Sequence, residues 1–315
     1  MWRFKHLRTA VRTILGPGRY FVACALLVWL VRSVTPEQWM LFRDRFSIGL
    51  FIAPALLMGT ALTINIVRWK GLLKNAGVLI GFRSAMRFGC LGYASAFFSI
   101  GTLGGDVLKA TFLAKTLRGQ AKPIFIATAM DRLVGLYSLC VLVGIWFASK
   151  EVFFSGRLHS ELLVFGWLAI VGVVIGSPII FLCRVRALAL SLLSQSLIVA
   201  SVYWIAIGVH RTEALPSILD HFILVPIALL VAAVPISPGG IGVFEVTLDW
   251  MYALVVTATT TLAPSGILVG LAFSFVKLLL AAIAIALYFV LDSSSAFDSG
   301  TSRTNSACEN QYFET

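Results

Sequence analysis

Long apolar runs separated by short polar segments cover most of this chain. Six of them reach or approach the roughly 20 residues with which an α-helix crosses the hydrocarbon core of a bilayer. These runs span residues 19–34, 46–69, 123–149, 161–183, 187–209 and 264–291. The pattern therefore predicts an all-α, polytopic helical membrane protein with about six spanning helices.

Two further apolar segments, 83–115 and 217–257, are interrupted by glycine or by glycine and proline, which disfavour the interior of a helix. Each is predicted to form two helical pieces around a break. A broken helix leaves unpaired backbone groups, which a membrane tolerates only inside protein or against a water-filled cavity. We therefore predict two re-entrant hairpins. Their break residues are Gly104, Gly105, Pro235, Ser237, Pro238, Gly239 and Gly240.

The order of these elements predicts an inverted repeat. Each half, over residues 19–149 and 161–291, has the order helix, helix, hairpin, helix, and the halves start on opposite sides of the membrane. The alternative is chance similarity, because the two breaks share little beyond a Gly-Gly pair. With cytoplasmic N- and C-termini, basic residues concentrate on the cytoplasmic side, as the positive-inside rule requires. Arg68, Lys70 and Lys74 are counted in that cytoplasmic set.

Composition supports the membrane class and excludes several others. Charged residues make up 12% of the chain and the mean hydropathy is +0.94, whereas a soluble domain carries about 25% charge. The net charge of +11 fits basic loops of a membrane protein better than a nucleic-acid surface. Residues 1–18 form a basic cytoplasmic segment, and residues 292–315 are predicted to be a disordered tail. The cysteines and histidines lack metal-ligand spacing, so we expect no metal and no cofactor.

Ionisable residues at membrane depth are costly, and they usually face a protein interior or a wet cavity. Such residues follow each break or lie inside a predicted span. Lys277 has no charged neighbour on its own helix, so its expected partner is Glu245 or Asp249. Asp131 and Arg132 are adjacent and diverge around their helix, so each needs its own partner. The alternative is that all these charges form structural ion pairs. The candidate substrate-binding residues are Asp106, Lys109, Asp131, Arg132, Glu245, Asp249 and Lys277.

The chemistry of the breaks favours an anionic ligand. A helix that restarts after a Gly-Gly pair presents free N–H groups and the positive end of its dipole. Lys109, Arg132 and Lys277 add positive charge. A phosphate-bearing ligand fits that field.

Four motifs together resemble the lysylphosphatidylglycerol synthase transmembrane-region family, also called the flippase-like domain. They are NIVRWKGLLKNAG (65–77), GTLGGDVLKATFL (101–113), AMDRLVGL (129–136) and VPISPGGIGVFE (234–245). The resemblance covers most of residues 19–291. It implies a multi-pass protein of a bacterial or archaeal cytoplasmic membrane. By motif it implies lipid-handling roles for Asp106, Asp131, Arg132 and Glu245, with turns at the paired glycines.

The resemblance also implies a function. Fused members of the family flip an aminoacylated phospholipid made by a soluble domain that has no counterpart in this sequence, so we expect no enzymatic activity here. Lys109 stands where the family often has arginine. The leading hypothesis is a translocase for a membrane lipid with a phosphate-bearing headgroup. The alternatives are an ion-coupled transporter of a small anionic solute, and a non-transporting membrane partner of a lipid-modifying enzyme or a glycosyltransferase.

Overall fold

The structure is a computed structural model that describes residues 28, 32, 34, 36–45, 49–99, 101–153, 160–182, 185–210, 215–234, 237–255 and 265–311. Within them every regular element is a helix. The predictions for residues 1–18, for most of the first span and for Pro235 fall outside this described part.

The helices are numbered here in chain order. They are α1 Pro36–Arg45, α2 Gly49–Asn75, α3 Phe82–Ser95, α4 Gly101–Thr116, α5 Ala121–Phe153, α6 Ser160–Leu182, α7 Val185–Val209, α8 Ile218–Ala232, α9 Val243–Val255 and α10 Gly266–Gln311, with a short 3₁₀ turn at Pro238–Gly240 before α9. The all-α prediction is confirmed.

Four stretches are long and apolar enough to cross a membrane: Gly49–Asn75, Ala121–Phe147, Val185–Val209 and Gly266–Asp292. They correspond to four of the six predicted spans. The predicted run at 161–183 forms α6, whose fully described part, Gly166–Ser177, is apolar but shorter. Helix α2 continues past the predicted apolar run to Asn75, because Lys70, Leu72, Leu73 and Lys74 are good helix formers. Large apolar side chains remain exposed along these helices, as expected of lipid-facing surfaces.

Helices from the two halves of the chain pack against each other. Helix α3 packs against α10 and α4 against α5, while α8 packs against α5 and α9 against α10. If α2, α3, α4 and α5 are matched with α7, α8, α9 and α10, each pairing in one half has its equivalent in the other. Helix α2 also contacts its counterpart α7. Each hairpin therefore packs against the last helix of both halves, which is the arrangement expected for the predicted inverted repeat.

Both predicted hairpins are present, and glycines allow their close packing. In the first, formed by α3 and α4, a Cβ atom on Gly105 would lie 2.2 Å from the carbonyl oxygen of Gly92. In the second, formed by α8 and α9, Gly239 and Gly240 have φ of 62° and 73°, which glycine adopts without strain. A Cβ atom on Gly239 would lie 2.8 Å from the ring of Phe97, so the two breaks meet inside the fold.

Helix α10 extends to Gln311, past Asp292, where the sequence analysis places the start of a disordered tail. The segment after Asp292 holds one glycine and no proline, so the local sequence does not stop the helix. The polar composition of this segment sets the end of the predicted membrane span, but the helix itself continues.

Candidate ligand-binding cavity

A cavity of about 290 Å³ lies where the two hairpins meet. Residues from α2, α3, α4, α5, α7, α8, α9 and α10 contribute to its wall, and Gly239 brings the second break to it. Its charged and amide-bearing lining residues are Asn65, Arg68, Asp106, Lys109, Asp131, Arg132, Gln195 and Lys277. Five of the seven predicted binding residues therefore share one cavity.

One side of the cavity is held by a buried ion pair between α2 and α5. Arg68 donates from Nε to Oδ1 of Asp131 over 2.8 Å and from a terminal nitrogen to the Asp131 carbonyl over 3.2 Å. Its other terminal nitrogen donates to Oγ of Ser191 on α7 over 2.6 Å. Arg68 is 6% exposed, so the pair is largely removed from water. Arg68, which the sequence analysis counted with the cytoplasmic basic residues, is therefore a buried and paired side chain within α2.

The first hairpin is fixed to α5 by a second set of charges. Nζ of Lys109 lies 2.8 Å from Oδ1 of Asp106 and 3.7 Å from Oδ2 of Asp131. Arg132 donates from Nε to Oδ2 of Asp106 over 2.7 Å. Nζ of Lys109 also lies 4.8 Å from the ring centroid of Trp69. The prediction that Asp131 and Arg132 take different partners is confirmed, because Asp131 pairs with Arg68 and Lys109, whereas Arg132 pairs with Asp106.

Positive charge exceeds negative charge around the cavity. Its lining holds four basic side chains, Arg68, Lys109, Arg132 and Lys277, and two acidic ones, Asp106 and Asp131. The two carboxylates are already shared among three of the cations. Glu245, behind the wall, adds a third negative charge that acts on Lys277, so four cations face three carboxylates and a ligand in the cavity meets a net positive field.

The excess positive charge is located at Lys277 on α10, on the opposite wall of the cavity. Its Nζ atom lies 5.4 Å and 5.3 Å from the ring centroids of Phe244 and Phe273, and the residue is 9% exposed. No described carboxylate lies within ion-pair distance of it. Glu245 acts on it electrostatically, so the expected pairing is present as a longer-range interaction. Aromatic faces stabilise a cation less than a carboxylate contact would, which leaves Lys277 available to an anion.

Glu245 is completely buried behind the cavity wall. Its carboxylate accepts hydrogen bonds from the N–H of Gly242 over 2.6 Å and from Oγ of Ser274 on α10. The N–H of Gly242, just after the second break, is therefore already bound by a side chain of the protein. The sequence analysis predicts that N–H groups at this position are free for a ligand. Glu245 fixes the restart of α9 and does not line the cavity.

Asp249 lies one turn further along α9 and also outside the cavity lining. Its Oδ1 accepts from the N–H of Ile267, in the first turn of α10, over 3.2 Å. A Cβ atom on Gly266 would lie 2.5 Å from the backbone of Asp249, so the two helices touch here. The predicted partnership of Asp249 with Lys277 is absent, because this carboxylate caps the N-terminus of α10 instead.

The predicted break residues of the second hairpin that the structure describes, Ser237, Pro238, Gly239 and Gly240, lie at its break. The prediction for the first hairpin was wrong, because Gly104 and Gly105 lie inside α4 and the chain turns before Gly101. A Cβ atom on Gly104 would lie 2.4 Å from Oγ of Ser99, so this glycine lets α4 pack against the turn. Pro238 begins the 3₁₀ turn of the second. Oγ of Ser237 is buried at that turn and has no hydrogen-bond partner in the described part of the chain.

The sequence analysis did not identify three of the charged or amide-bearing cavity residues, Asn65, Arg68 and Gln195. Gln195 on α7 lines the cavity, and its Oε1 atom is buried without a partner among the described residues. Arg68 was counted among the cytoplasmic basic residues of the topology and was not considered as a cavity residue. The spacing of Asn65, Arg68 and Trp69 puts three hydrogen-bonding side chains on one helix face, and this signal could have indicated an inward position.

The fold and the cavity define a multi-pass helical membrane protein with a cationic site between two broken hairpins. The family described as Lysylphosphatidylglycerol synthase TM region matches residues 18–189. The chain belongs to this family. The match includes the motifs that carry Lys109 and Asp131, whereas the motif at 234–245 lies beyond it. No curated protein matches the chain.

Proposed function

We propose that this protein is a lipid translocase that moves a phosphate-bearing headgroup between leaflets through the cavity between its hairpins. The observation that carries the proposal is the excess of basic over acidic side chains on that cavity, with Lys277 outside any described ion pair. Cations at membrane depth are costly to keep. A phosphate would offset that cost at the moment of binding, through charge-assisted hydrogen bonds.

The size of the cavity fits a headgroup rather than a whole lipid. Its volume of about 290 Å³ is at the lower end of ordinary ligand pockets. Acyl chains would stay in the bilayer, against apolar side chains that the spanning helices expose, such as Leu56 and Phe275. Moving only the polar part through protein removes the main barrier to crossing, since the chains never leave hydrocarbon.

Gln195 narrows the chemistry of the headgroup. Its unpartnered Oε1 atom is a hydrogen-bond acceptor on a wall otherwise rich in cationic donors. A buried acceptor without a partner is unfavourable, and a ligand hydroxyl or amine would satisfy it. The headgroup that suits both features carries a phosphate together with a hydroxyl or an amine.

The packing of the two halves supplies a route for movement. Each hairpin packs against helices of both halves, so rocking of one half would open the cavity alternately to either leaflet. Both cavity carboxylates, Asp106 and Asp131, are engaged in ion pairs, which favours a binding role over acid–base catalysis. We therefore propose a non-enzymatic translocase, oriented with its termini in the cytoplasm.

The test is lipid movement in proteoliposomes. Headgroup-labelled phosphatidylglycerol, phosphatidylethanolamine and phosphatidylcholine are each reconstituted with the purified full chain, and a membrane-impermeant quencher reports which leaflet holds the label. We expect faster exchange than in protein-free liposomes for at least one of the three lipids. In parallel vesicles, uptake of radiolabelled glycerol phosphate tests a small solute with the same chemistry. Glycerol phosphate uptake without lipid movement would contradict the proposal in favour of a solute transporter.

A further inference from the structure

A second cavity, of about 300 Å³, lies at the other end of the contact between α2 and α7. It is formed by the last turns of α2, the loop that follows them and the first turn of α7. Its charged lining residues are Arg68, Lys70, Lys74 and Arg186, and its described lining includes no carboxylate.

The position of this cavity along the helices places it at the membrane surface. Helix α2 has 27 residues and is therefore about 40 Å long, whereas the hydrocarbon core is about 30 Å thick. Lys70 and Lys74 lie within its last two turns, and Arg186 is the second residue of α7. From these helix positions we infer that Lys70, Lys74 and Arg186 lie at the depth of lipid phosphates, while Arg68 pairs with Asp131 in the interior.

The charges of this cavity are not neutralised by the protein. Lys74 and Arg186 are exposed, and neither forms an ion pair with any described residue. Nζ of Lys70 lies 5.8 Å from the ring centroid of Phe82, a cation–π contact, and Lys70 forms no ion pair with a described residue. Three cations of one sign around a shared cavity repel each other, so an anion there gains from all of them.

The remaining wall of this cavity is apolar. Val67, Leu72, Ile80 and Leu190 line it, and Leu79 is 75% exposed at its edge. Free phosphate would use the cations alone, whereas a phospholipid would also bury its first chain segments against these side chains. The combination of basic and apolar lining selects the lipid.

We propose that this second cavity binds the phosphate of an anionic phospholipid at the membrane surface, through Lys70, Lys74 and Arg186. Basic pockets between helices at this depth are suited to such headgroups. Arg68 lines both cavities, so a lipid docked here lies next to the wall of the central site. The docking site stands independently of the proposed function, because binding does not require that the central cavity moves lipid.

Native mass spectrometry of the full chain in detergent tests the proposal. Phosphatidylglycerol is titrated into wild type and into the triple variant Lys70→Gln, Lys74→Gln, Arg186→Gln. The matched control is Lys115→Gln, Arg118→Gln, Lys122→Gln, which removes the same charge from exposed residues near another loop. We expect the first variant to bind on the order of a hundredfold more weakly, since each basic group near the surface adds about fivefold. The control should bind like wild type.

Additional arms identify the ligand. Phosphatidylcholine should bind much more weakly than phosphatidylglycerol, and inorganic phosphate should not displace phosphatidylglycerol at equal concentration. The single variant Lys74→Glu, at an exposed position, should weaken binding more than Lys74→Gln does. Unchanged affinity in the triple variant, or equal affinity for phosphatidylcholine, would overturn the proposal. Displacement by equimolar inorganic phosphate would reassign the site to a free anion. None of these outcomes depends on whether lipid crosses the membrane.

Discussion

The guanidinium of Arg68 on α2 and the carboxylate of Asp131 on α5 form a buried pair, with Nε 2.8 Å from Oδ1. Arg68 also contacts Ser191, which exchanges a hydrogen bond with Ser138 over 2.7 Å. Helices α2, α5 and α7 are therefore joined at the cavity wall through one arginine. This arrangement gives the cavity a fixed side, against which the hairpins lie.

Neutralising Asp131 should destabilise the protein. Asp131→Asn leaves the buried charge of Arg68 without its partner, which costs about 3 kcal/mol or more. Thermal unfolding in detergent should show a clear decrease in Tm. The double variant Arg68→Gln, Asp131→Asn should recover part of the loss, because no buried charge then lacks a partner. An unchanged Tm for Asp131→Asn would contradict the assigned pair.

A methyl group at the crossing of α3 and α4 should separate the arms of the first hairpin. In Gly105→Ala the new atom would lie 2.2 Å from a backbone oxygen, so the helices must move apart, at a cost of about 1–3 kcal/mol. Gly59→Ala on α2 is the matched control, because its nearest neighbour is the Leu280 side chain at 3.8 Å. Thermal unfolding should show a loss for Gly105→Ala and no loss for Gly59→Ala. Equal stability of the two variants would argue against this packing.

Glu245 should tune the affinity of the central cavity without touching the ligand. Its charge acts on Lys277, so Glu245→Gln makes the cavity more positive. We expect tighter binding of an anionic headgroup, by severalfold, and slower translocation because release is slower. Ser274→Ala removes a hydrogen bond to the same carboxylate and keeps its charge, so affinity should stay near wild type. The comparison is made by lipid titration in detergent.

The comparison of Glu245→Gln with Ser274→Ala also separates the effect of charge from that of structure. Ser274→Ala loses one hydrogen bond, at about 1 kcal/mol, and should show a small decrease in Tm. Glu245→Gln keeps both, because its amide accepts from Gly242 and donates to Ser274, so its Tm should stay close to that of wild type. If the affinity for an anionic headgroup changed equally in both variants, the orientation of the carboxylate rather than its charge would determine that affinity.

The fold could be predicted from local features, because each depends on residues close together in sequence. Apolar run length identified four spanning helices, and the Gly239–Gly240 pair located the second break, whereas Gly104 and Gly105 lie inside α4, after the first. Adjacent opposite charges at Asp131 and Arg132 required separate partners, and these exist. Each of these signals is expressed within a few turns of one helix.

The detailed site depended on contacts between distant segments. Arg68 looks like a loop cation until α5 and α7 supply Asp131 and Ser191 to it. Asp249 looks like a partner for Lys277, but the start of α10 is nearer to it. Glu245 is closed off by Ser274, which lies 29 residues later in the chain. No local pattern reports which face of a buried helix meets which neighbour.

Lys277 gives the most direct test of the central claim. The initial rate of headgroup-labelled lipid movement is measured in proteoliposomes for wild type, Lys277→Gln and the exposed control Lys115→Gln, at matched protein density. We expect Lys277→Gln to be at least about tenfold slower, which corresponds to the loss of one charged contact of roughly 1.4 kcal/mol, and Lys115→Gln to match wild type. Lipid movement at the wild-type rate in Lys277→Gln would contradict a translocation site in this cavity.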